Sequence, residues 1–496
     1  MKTAADKANS DKKTSLRSTI AEQGESLKNE PETPTTHKRD EEIINLLIEQ
    51  IKPVDFRKLA GLTSETEKLK PHHFLVISIE QILLIAKQNN WGICKNNGYA
   101  YVYNGAYWKA LDKEVLQAFL GNATEKMGID KFNSRFYSFR EQLNKQFHAL
   151  AYLPRPESQN EVVFINLKNG TFEISPERQV LRLPQAKDFI TYQLPFDYNP
   201  NAKASLFEAY LNKVQPDITR QHILAEYLAY LFIRPGTLKL EKTLLLYGGG
   251  ANGKSVFFEI VNALLGGNDN VSNYSLHSLT NENGYFRAML ANKLVNYASE
   301  INGKLETSIF KQLVSGEPVE ARLPYGEPFT LTDYAKLIFN CNELPKDIEH
   351  STAFFRRLLI IPFEITIPDP EQDKQLSAKI IKSELSGVFN WVLSGLERLL
   401  AQNNFTYSEA VNGQLENYKK QSDSVQLFLE DEGYTKGVNE SKRLQDLFSE
   451  YCVYCNNSRY KCCSLKTFSE RLKNIGFVIE RKNYGMAIII KKESVF

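Results

Sequence analysis

Excess charge of one sign and long apolar runs are both missing from this sequence. Its 496 residues include 61 Lys and Arg against 59 Asp and Glu, which leaves a formal net charge of +2. This balance excludes a histone-like polycation and a strongly acidic solvating chain, so nucleic-acid contacts would depend on locally concentrated basic residues. No apolar run approaches the ~18–20 residues that a membrane-spanning helix needs, so we expect no membrane partner.

Residues 1–42 lack Phe, Tyr, Trp and Val altogether, and they carry eight basic and nine acidic side chains. Such a segment cannot bury enough apolar surface to offset the ordering of its backbone, which predicts a disordered tail. The N-terminus also lacks the apolar stretch of a secretory signal, and six Cys in this length do not make a disulfide framework. We therefore expect a cytoplasmic protein with free thiols.

Residues 43–238 are predicted to form a mixed α+β N-terminal domain. Alternating aromatic and apolar residues predict two hairpins, one turning at Asn104-Gly105 and the other at Asn169-Gly170. Two amphipathic helical patterns follow the second hairpin.

Residues 239–418 show a different pattern, in which short apolar strands alternate with helical segments. This alternation predicts an α/β domain with a parallel sheet, extended at its end by helices. Residues 419–496 indicate three helices followed by two strands, and nine basic but only two acidic residues lie between Arg459 and Lys492. That concentration favours contact with a DNA backbone, although a solvated basic face is the alternative.

The segment GGGANGKS follows an apolar strand and opens a helical pattern, the context in which G-x-x-x-x-G-K-[ST] binds phosphate. Gly248, Gly250 and Gly253 let backbone N–H groups converge on phosphate oxygens. Lys254 can reach the β- and γ-phosphates, and the Ser255 hydroxyl can supply an oxygen to Mg²⁺. The segment therefore predicts a site for ATP with Mg²⁺.

Two polar residues follow the next apolar strands. Glu300 ends the segment KLVNYASE, and Asn342 follows the apolar part of AKLIFNCN. The carboxyl ends of parallel strands meet beside the phosphate loop, so Glu300 is a candidate for holding Mg²⁺ or orienting water. Asn342 is a candidate for sensing the γ-phosphate, although Asn in this position is also an ordinary turn former.

Arg356 and Arg357 precede the last apolar strand of this region. Either could reach a phosphate of a neighbouring subunit as an arginine finger, and a solvated or ion-paired couple is the alternative.

Taken in order, these segments resemble a known family. The order GGGANGKS, KLVNYASE, FKQLVSGEPVEARLPYGEPF, AKLIFNCNELP and FFRRLLIIPF is similar to the superfamily 3 helicase domain of phage- and plasmid-borne primase–helicases, related to the poxvirus primase-helicase. Asn252, before the Gly-Lys-Ser triplet, is typical of that group and would belong to its nucleotide site. The resemblance spans roughly residues 80–490.

The resemblance implies an AAA+-like ATPase core, a C-terminal winged-helix domain and a hexameric ring. It assigns Lys254 and Ser255 to the first motif, Glu300 to the second, Asn342 to the sensor and Arg356 or Arg357 to the finger. It also places a hairpin in the ring channel, with Lys311, Arg322 and Tyr325 as candidates to contact single-stranded DNA. The segment before the similar region is short, so we expect no primase domain in this chain and a possible separate primase.

We therefore expect a DNA helicase of a phage, plasmid or other mobile element, acting on single-stranded or forked DNA. Two alternatives remain open, a DNA-remodelling ATPase without processive unwinding and an origin-binding initiator. Cys452, Cys455, Cys462 and Cys463 superficially resemble a zinc site, but adjacent thiols rarely share one tetrahedral ion, so core thiols are the default.

Overall fold

The computed structural model describes residues 40–64, 66–88, 92–96, 99–151, 162–175, 179–234, 236–299, 301, 305–324, 326–345, 348–458 and 460–493. The disordered tail predicted over residues 1–42 therefore lies almost wholly outside the described residues.

The first part of the described chain is a mainly helical unit around one three-stranded antiparallel sheet. Its elements are α1 (Asp40–Gln50), α2 (Phe56–Leu59), α3 (Pro71–Gln88), β1 (Ile93–Asn96), β2 (Tyr99–Tyr103), β3 (Trp108–Leu111), α4 (Lys113–Lys126), α5 (Lys131–Arg135) and α6 (Tyr137–Leu150). The helices bury their apolar faces in a separate core. The hairpin predicted here is present, but its turn is a four-residue loop in which Asn104 Oδ1 accepts from the N–H groups of Ala106 and Tyr107. The turn is therefore longer than the Asn104-Gly105 pair at which the sequence placed it, because this side chain organises a longer loop.

A second antiparallel sheet and two helices follow. They are β4 (Val163–Leu167), β5 (Gly170–Ile174), β6 (Gln179–Arg182), α7 (Ser205–Val214) and α8 (Ile218–Tyr230). The β4–β5 turn occupies residues 168–169, and Gly170 already pairs with Leu167. This part shares one continuous core with the parallel sheet that follows, so the boundary placed after residue 238 falls inside that core.

A five-stranded parallel sheet forms the centre of the molecule, in the order β13-β7-β12-β9-β8. Its strands are β7 (Thr243–Tyr247), β8 (Val271–Ser272), β9 (Val295–Ala298), β12 (Lys336–Cys341) and β13 (Leu358–Pro362). β7, β12 and β13 are almost entirely buried apolar runs, as expected for strands covered on both faces. The prediction of a parallel α/β sheet is confirmed.

Helices and one hairpin surround this sheet. The helices are α9 (Lys254–Leu265), α10 (Leu276–Thr280), α11 (Tyr285–Ala288), α12 (Thr307–Ser315), α13 (Thr352–Phe355), α14 (Leu376–Ser383), α15 (Leu385–Gln402) and α16 (Glu409–Gln421). The hairpin pairs β10 (Val319–Arg322) with β11 (Pro328–Leu331), where the sequence predicted one.

The C-terminal part has its own core. It contains α17 (Ser424–Asp431), β14 (Tyr434–Arg443), α18 (Leu444–Asn457), α19 (Leu465–Asn474), β15 (Ile479–Lys482) and β16 (Gly485–Lys492). The predicted order of three helices and two strands missed β14, because its sequence TKGVNESKR is polar and lacks an apolar alternation. β14 pairs with β16, whose apolar residues face the core.

Candidate active site

The glycine-rich loop joins β7 to α9 at the carboxyl edge of the parallel sheet. β7 lies between β13 and β12, and the Gly248 N–H donates to the carbonyl of Cys341 at the end of β12 (3.1 Å). Residues 248–253 therefore lie where ligands bind in open α/β sheets, with the N-terminus of a 12-residue helix directly behind them.

Two of the three predicted glycines are sterically required. A Cβ on Gly248 would overlap the carbonyl oxygen of Phe363. Gly253 has φ +86°, and a Cβ there would lie 2.8 Å from Val214 Cγ1. Gly250 has open space around it, so its role would be to let a ligand approach the backbone.

Lys254 is buried, and its ammonium group turns back into the loop. Nζ donates to the carbonyls of Gly248 and Gly249 (2.8 Å each) and to Asn252 Oδ1 (3.1 Å). Burial lowers the pKa of this lysine. Because no carboxylate among the described residues contacts it, the ammonium is available to an incoming anion, which would offset the cost of its burial.

Asn252 fastens the loop to the neighbouring strand. Its Nδ2 donates to the carbonyls of Gly249 (2.8 Å) and Phe363 (3.0 Å), just beyond β13. Tyr210 of α7 donates its hydroxyl to the Gly253 carbonyl (2.8 Å). Sequence reasoning missed Tyr210 and Phe363 as contacts of the loop, since both lie far from it along the chain.

Three further residues were predicted to lie near the phosphates: Ser255, Asn342 and Glu300. Ser255 is exposed in the first turn of α9, and Asn342 is exposed immediately after β12, beside the loop. Glu300 lies outside the described residues, although β9, which precedes it, ends at the same edge. The helix N-terminus, the ammonium and the flexible glycine backbone fit a polyphosphate. For Mg²⁺ the described part of the site offers the Ser255 hydroxyl.

Arg356 and Arg357 lie at the opposite edge of the sheet. The Thr243 N–H, at the start of β7, donates to the Arg357 carbonyl (2.8 Å). β7 is five residues long, which separates the arginines from the loop by roughly 16 Å along the sheet. They are therefore placed away from their own chain's glycine-rich loop.

The two arginines differ in what holds them. The Arg357 side chain is 8% exposed and donates to Ser315 Oγ (2.8 Å) and to the Ala353 carbonyl (2.6 Å). The Arg356 side chain is 54% exposed, with one ion pair, to Glu241 (2.6 Å). Only Arg356 has its guanidinium on the surface.

Of the residues predicted to contact DNA, Arg322 and Lys311 lie on different elements. Arg322 is exposed at the end of β10, and its Nε donates to the Gly326 carbonyl across the turn (2.8 Å). Lys311 lies in α12 and pairs with Glu349 (2.8 Å), which engages its charge. Tyr325 lies outside the described residues.

Basic residues of the C-terminal part are exposed on α19 and on the β15–β16 hairpin. Lys466 and Lys473 are seven residues apart and so lie on one face of α19, and Arg481 is exposed on β15. The described part of the chain holds no group of three or more His, Cys, Asp or Glu side chains placed for a metal ion. The four cysteines of this part pack in or against its core.

Two families match parts of the chain. Residues 80–216 match the family described as D5 N terminal like, and residues 246–357 match a family of unknown function, DUF5906. The chain is 24% identical to the protein of Acanthamoeba polyphaga mimivirus named "Putative helicase L207/L206", over 62% of this chain and 36% of that protein. The chain thus spans about a third of this relative's length. At 24% identity, the chain is similar to a viral protein named as a helicase.

Two solved structures are also similar. The apo structure of the NrS-1 C terminal region (305-718) shares 12% identity and a TM-score of 0.46, covering 86% of this chain and all of that one. An A form apo structure of the same region shares 12% identity and a TM-score of 0.46, covering 84% and 99%. No helix in the described part of the chain is long and apolar enough to cross a membrane.

Proposed function

We propose that this protein is an ATP-dependent DNA helicase of a mobile genetic element, with superfamily 3 motifs and ATP sites between subunits of a ring. The observation that carries the proposal is the arrangement of the glycine-rich loop and the arginine pair on opposite edges of one parallel sheet. The similarity to a viral protein named as a helicase supports the same reading.

Within one subunit, residues 248–255 would bind the triphosphate. Lys254 would exchange the carbonyls of Gly248 and Gly249 for phosphate oxygens, and Asn252 would keep the loop open by its bonds to Gly249 and Phe363. Mg²⁺, when bound, would neutralise charge between the phosphates, with Ser255 and Glu300 as its candidate protein ligands. Asn342 would sense the γ-phosphate from the end of β12.

Between subunits, the exposed Arg356 is the stronger candidate for the finger. It needs only to leave one ion pair with the half-buried Glu241, whereas Arg357 would have to lose buried hydrogen bonds to Ser315. Arg356 lies far from the glycine-rich loop of its own chain. It could act on a phosphate bound by a neighbouring subunit if the glycine-rich loop of each subunit faces the Arg356 edge of the next. A head-to-tail ring, which we propose to be hexameric, provides that arrangement.

DNA would be engaged at two places. The β10–β11 hairpin, with Arg322 exposed at its end, would follow the single strand in the channel, and Tyr325 is its candidate stacking residue. The C-terminal part has the order helix, strand, helix, helix, strand, strand, and we assign it as a winged helix whose α19 and β15–β16 hairpin contact duplex phosphates.

The test is DNA-stimulated ATP hydrolysis and strand displacement on a forked substrate. Wild-type protein should show both, and Lys254→Ala should lose both while remaining folded, because the ammonium that meets the phosphates is gone. Lys379→Ala is a matched control, since that lysine is exposed and forms an ion pair with Asp373. A wild-type protein without DNA-stimulated ATPase would overturn the proposal.

A second candidate is an origin-binding initiator that uses ATP only for assembly, favoured by the exposed basic face of α19. The same Lys254→Ala protein separates the two. Retained origin binding with lost unwinding supports the helicase, whereas full replication function without hydrolysis supports the initiator.

A further inference from the structure

A cavity of about 470 Å³ opens at the amino edge of the parallel sheet, away from the glycine-rich loop. Three lysines that precede or begin parallel strands line it: Lys242 before β7, Lys293 before β9 and Lys336 at the start of β12. The opposite wall comes from the earlier parts of the chain and includes Phe164 and Tyr192. The volume of the cavity is within the range of small-ligand sites.

The lining is strongly cationic. Arg234 and Lys239 join the three lysines, and Asp333 is the one carboxylate among the described lining residues. Lys239 is paired with Glu241, which lies beside the cavity (3.3 Å).

The three lysines at the amino ends of the strands donate instead to backbone carbonyls. Lys242 bonds the Arg356 carbonyl, Lys336 the Ile233 carbonyl and Lys293 the Asn268 carbonyl, each at 2.6 Å. Carbonyl oxygens satisfy the donors without forming ion pairs, and the charges are offset only in part, by Asp333 near Lys336 and Asp269 near Lys293. A bound anion would therefore be favoured. Burial lowers the pKa of all three lysines, which is the cost that an anion would offset.

Backbone strain is concentrated at the same place. Five non-glycine residues in the described part of the chain have positive φ, and two of them, Phe189 (46°) and Asn292 (61°), line the cavity. A third, Glu241 (53°), adjoins Lys242, while a fourth, Ala251 (54°), lies in the glycine-rich loop. Such strain persists where surrounding structure enforces it, and it clusters at ligand sites.

We propose that this cavity binds a nucleoside phosphate, either a free nucleotide or the terminal nucleotide of a DNA strand. The lysines at the amino ends of the strands bind the phosphate, and the aromatic rings of Phe189 and Tyr192 offer apolar surface to the base. Asn292 also lines the cavity, and its Oδ1 accepts a hydrogen bond from the Tyr101 hydroxyl (2.8 Å). This cavity is separate from the glycine-rich loop of its own chain, and the proposal does not depend on the proposed helicase activity.

Equilibrium binding of dTMP to the full-length protein tests the proposal, since a monophosphate lacks the β- and γ-phosphates that the glycine-rich loop would hold. Wild-type protein and Lys254→Ala should bind dTMP equally. Lys336→Met, which keeps the side-chain stem, should weaken binding by about tenfold or more, and the exposed Lys379→Met should not. Lys293→Met provides the same test if Lys336→Met does not fold.

Competition identifies the source of the ligand. If a 5′-phosphorylated oligothymidylate displaces dTMP and its unphosphorylated counterpart does not, the ligand is a strand end; if neither displaces it, the ligand is a free nucleotide. The proposal is overturned if wild-type protein binds none of these probes, if Lys254→Ala abolishes dTMP binding, or if the folded Lys336→Met and Lys293→Met proteins bind dTMP as tightly as wild type.

Discussion

At the scale of single residues, the glycine-rich loop depends on contacts that only the fold supplies. Asn252 connects Gly249 to Phe363, and Tyr210 holds the Gly253 carbonyl from a helix that precedes the sheet. The motif could be predicted from the sequence because its residues are consecutive. The residues that hold it in shape could not, because their partners are 43 and 111 positions away.

The glycines give a direct test of this geometry. Gly253→Ala should destabilise the protein by about 1–3 kcal/mol, because φ +86° disfavours a side chain and the new Cβ would crowd Val214. Gly250→Ala should leave stability within about 0.5 kcal/mol, because nothing lies near its Cβ position. Denaturant unfolding checks both, and equal loss in the two variants would contradict the described loop.

Lys336 makes stability depend on pH. Burial lowers the pKa of this lysine from 10.5 to about 8, with Asp333 opposing the shift and the Tyr230 ring beneath the ammonium. Between these values the unfolded chain binds more protons than the folded chain, so stability should rise as pH rises from 8 to 10.5.

Lys336→Met should remove this contribution. Relative to wild type, the variant should gain roughly 1–3 kcal/mol near pH 7, and the gain should shrink towards pH 10. Urea unfolding of both proteins across this range measures the difference. A difference that stays constant with pH would show that Lys336 titrates normally.

At the scale of elements, apolar runs could be predicted and polar strands could not. β7, β12 and β13 are buried runs such as LLLY and LLIIP, which specify strands by composition alone. β14 is polar and forms a strand only because β16 pairs with it. β8 has two residues, too few for any pattern.

The α19 helix should contribute to DNA binding through contacts of its lysines with phosphates. Replacing Lys466 and Lys473 with Ala should lower the slope of log K against log salt by about 2 for duplex DNA, since each contacted phosphate releases about one counterion. Lys213→Ala with Lys379→Ala is a matched control, because both lysines are exposed and ion-paired. Salt titrations of binding give the slopes, and an unchanged slope in the α19 variant would remove this helix from the interface.

At the scale of the whole molecule, the parallel sheet separates the two halves of the proposed ATP site. The loop that would bind phosphates lies at the carboxyl edge, and Arg356 lies at the amino edge with its side chain 54% exposed. The sequence identified both segments but could not choose between the two arginines. That choice depends on burial, which the hydrogen bonds of Arg357 to Ser315 and Ala353 determine.

Complementation between inactive subunits tests the shared site most directly. Lys254→Ala lacks the loop ammonium, and Arg356→Ala lacks the proposed finger, so each protein alone should hydrolyse almost no ATP. In an equal mixture, an interface that joins an intact loop to an intact arginine forms by chance in about one quarter of cases. The account predicts recovery of about a quarter of wild-type ATPase. No recovery in mixed rings of two folded proteins, or full activity of Arg356→Ala alone, would contradict it.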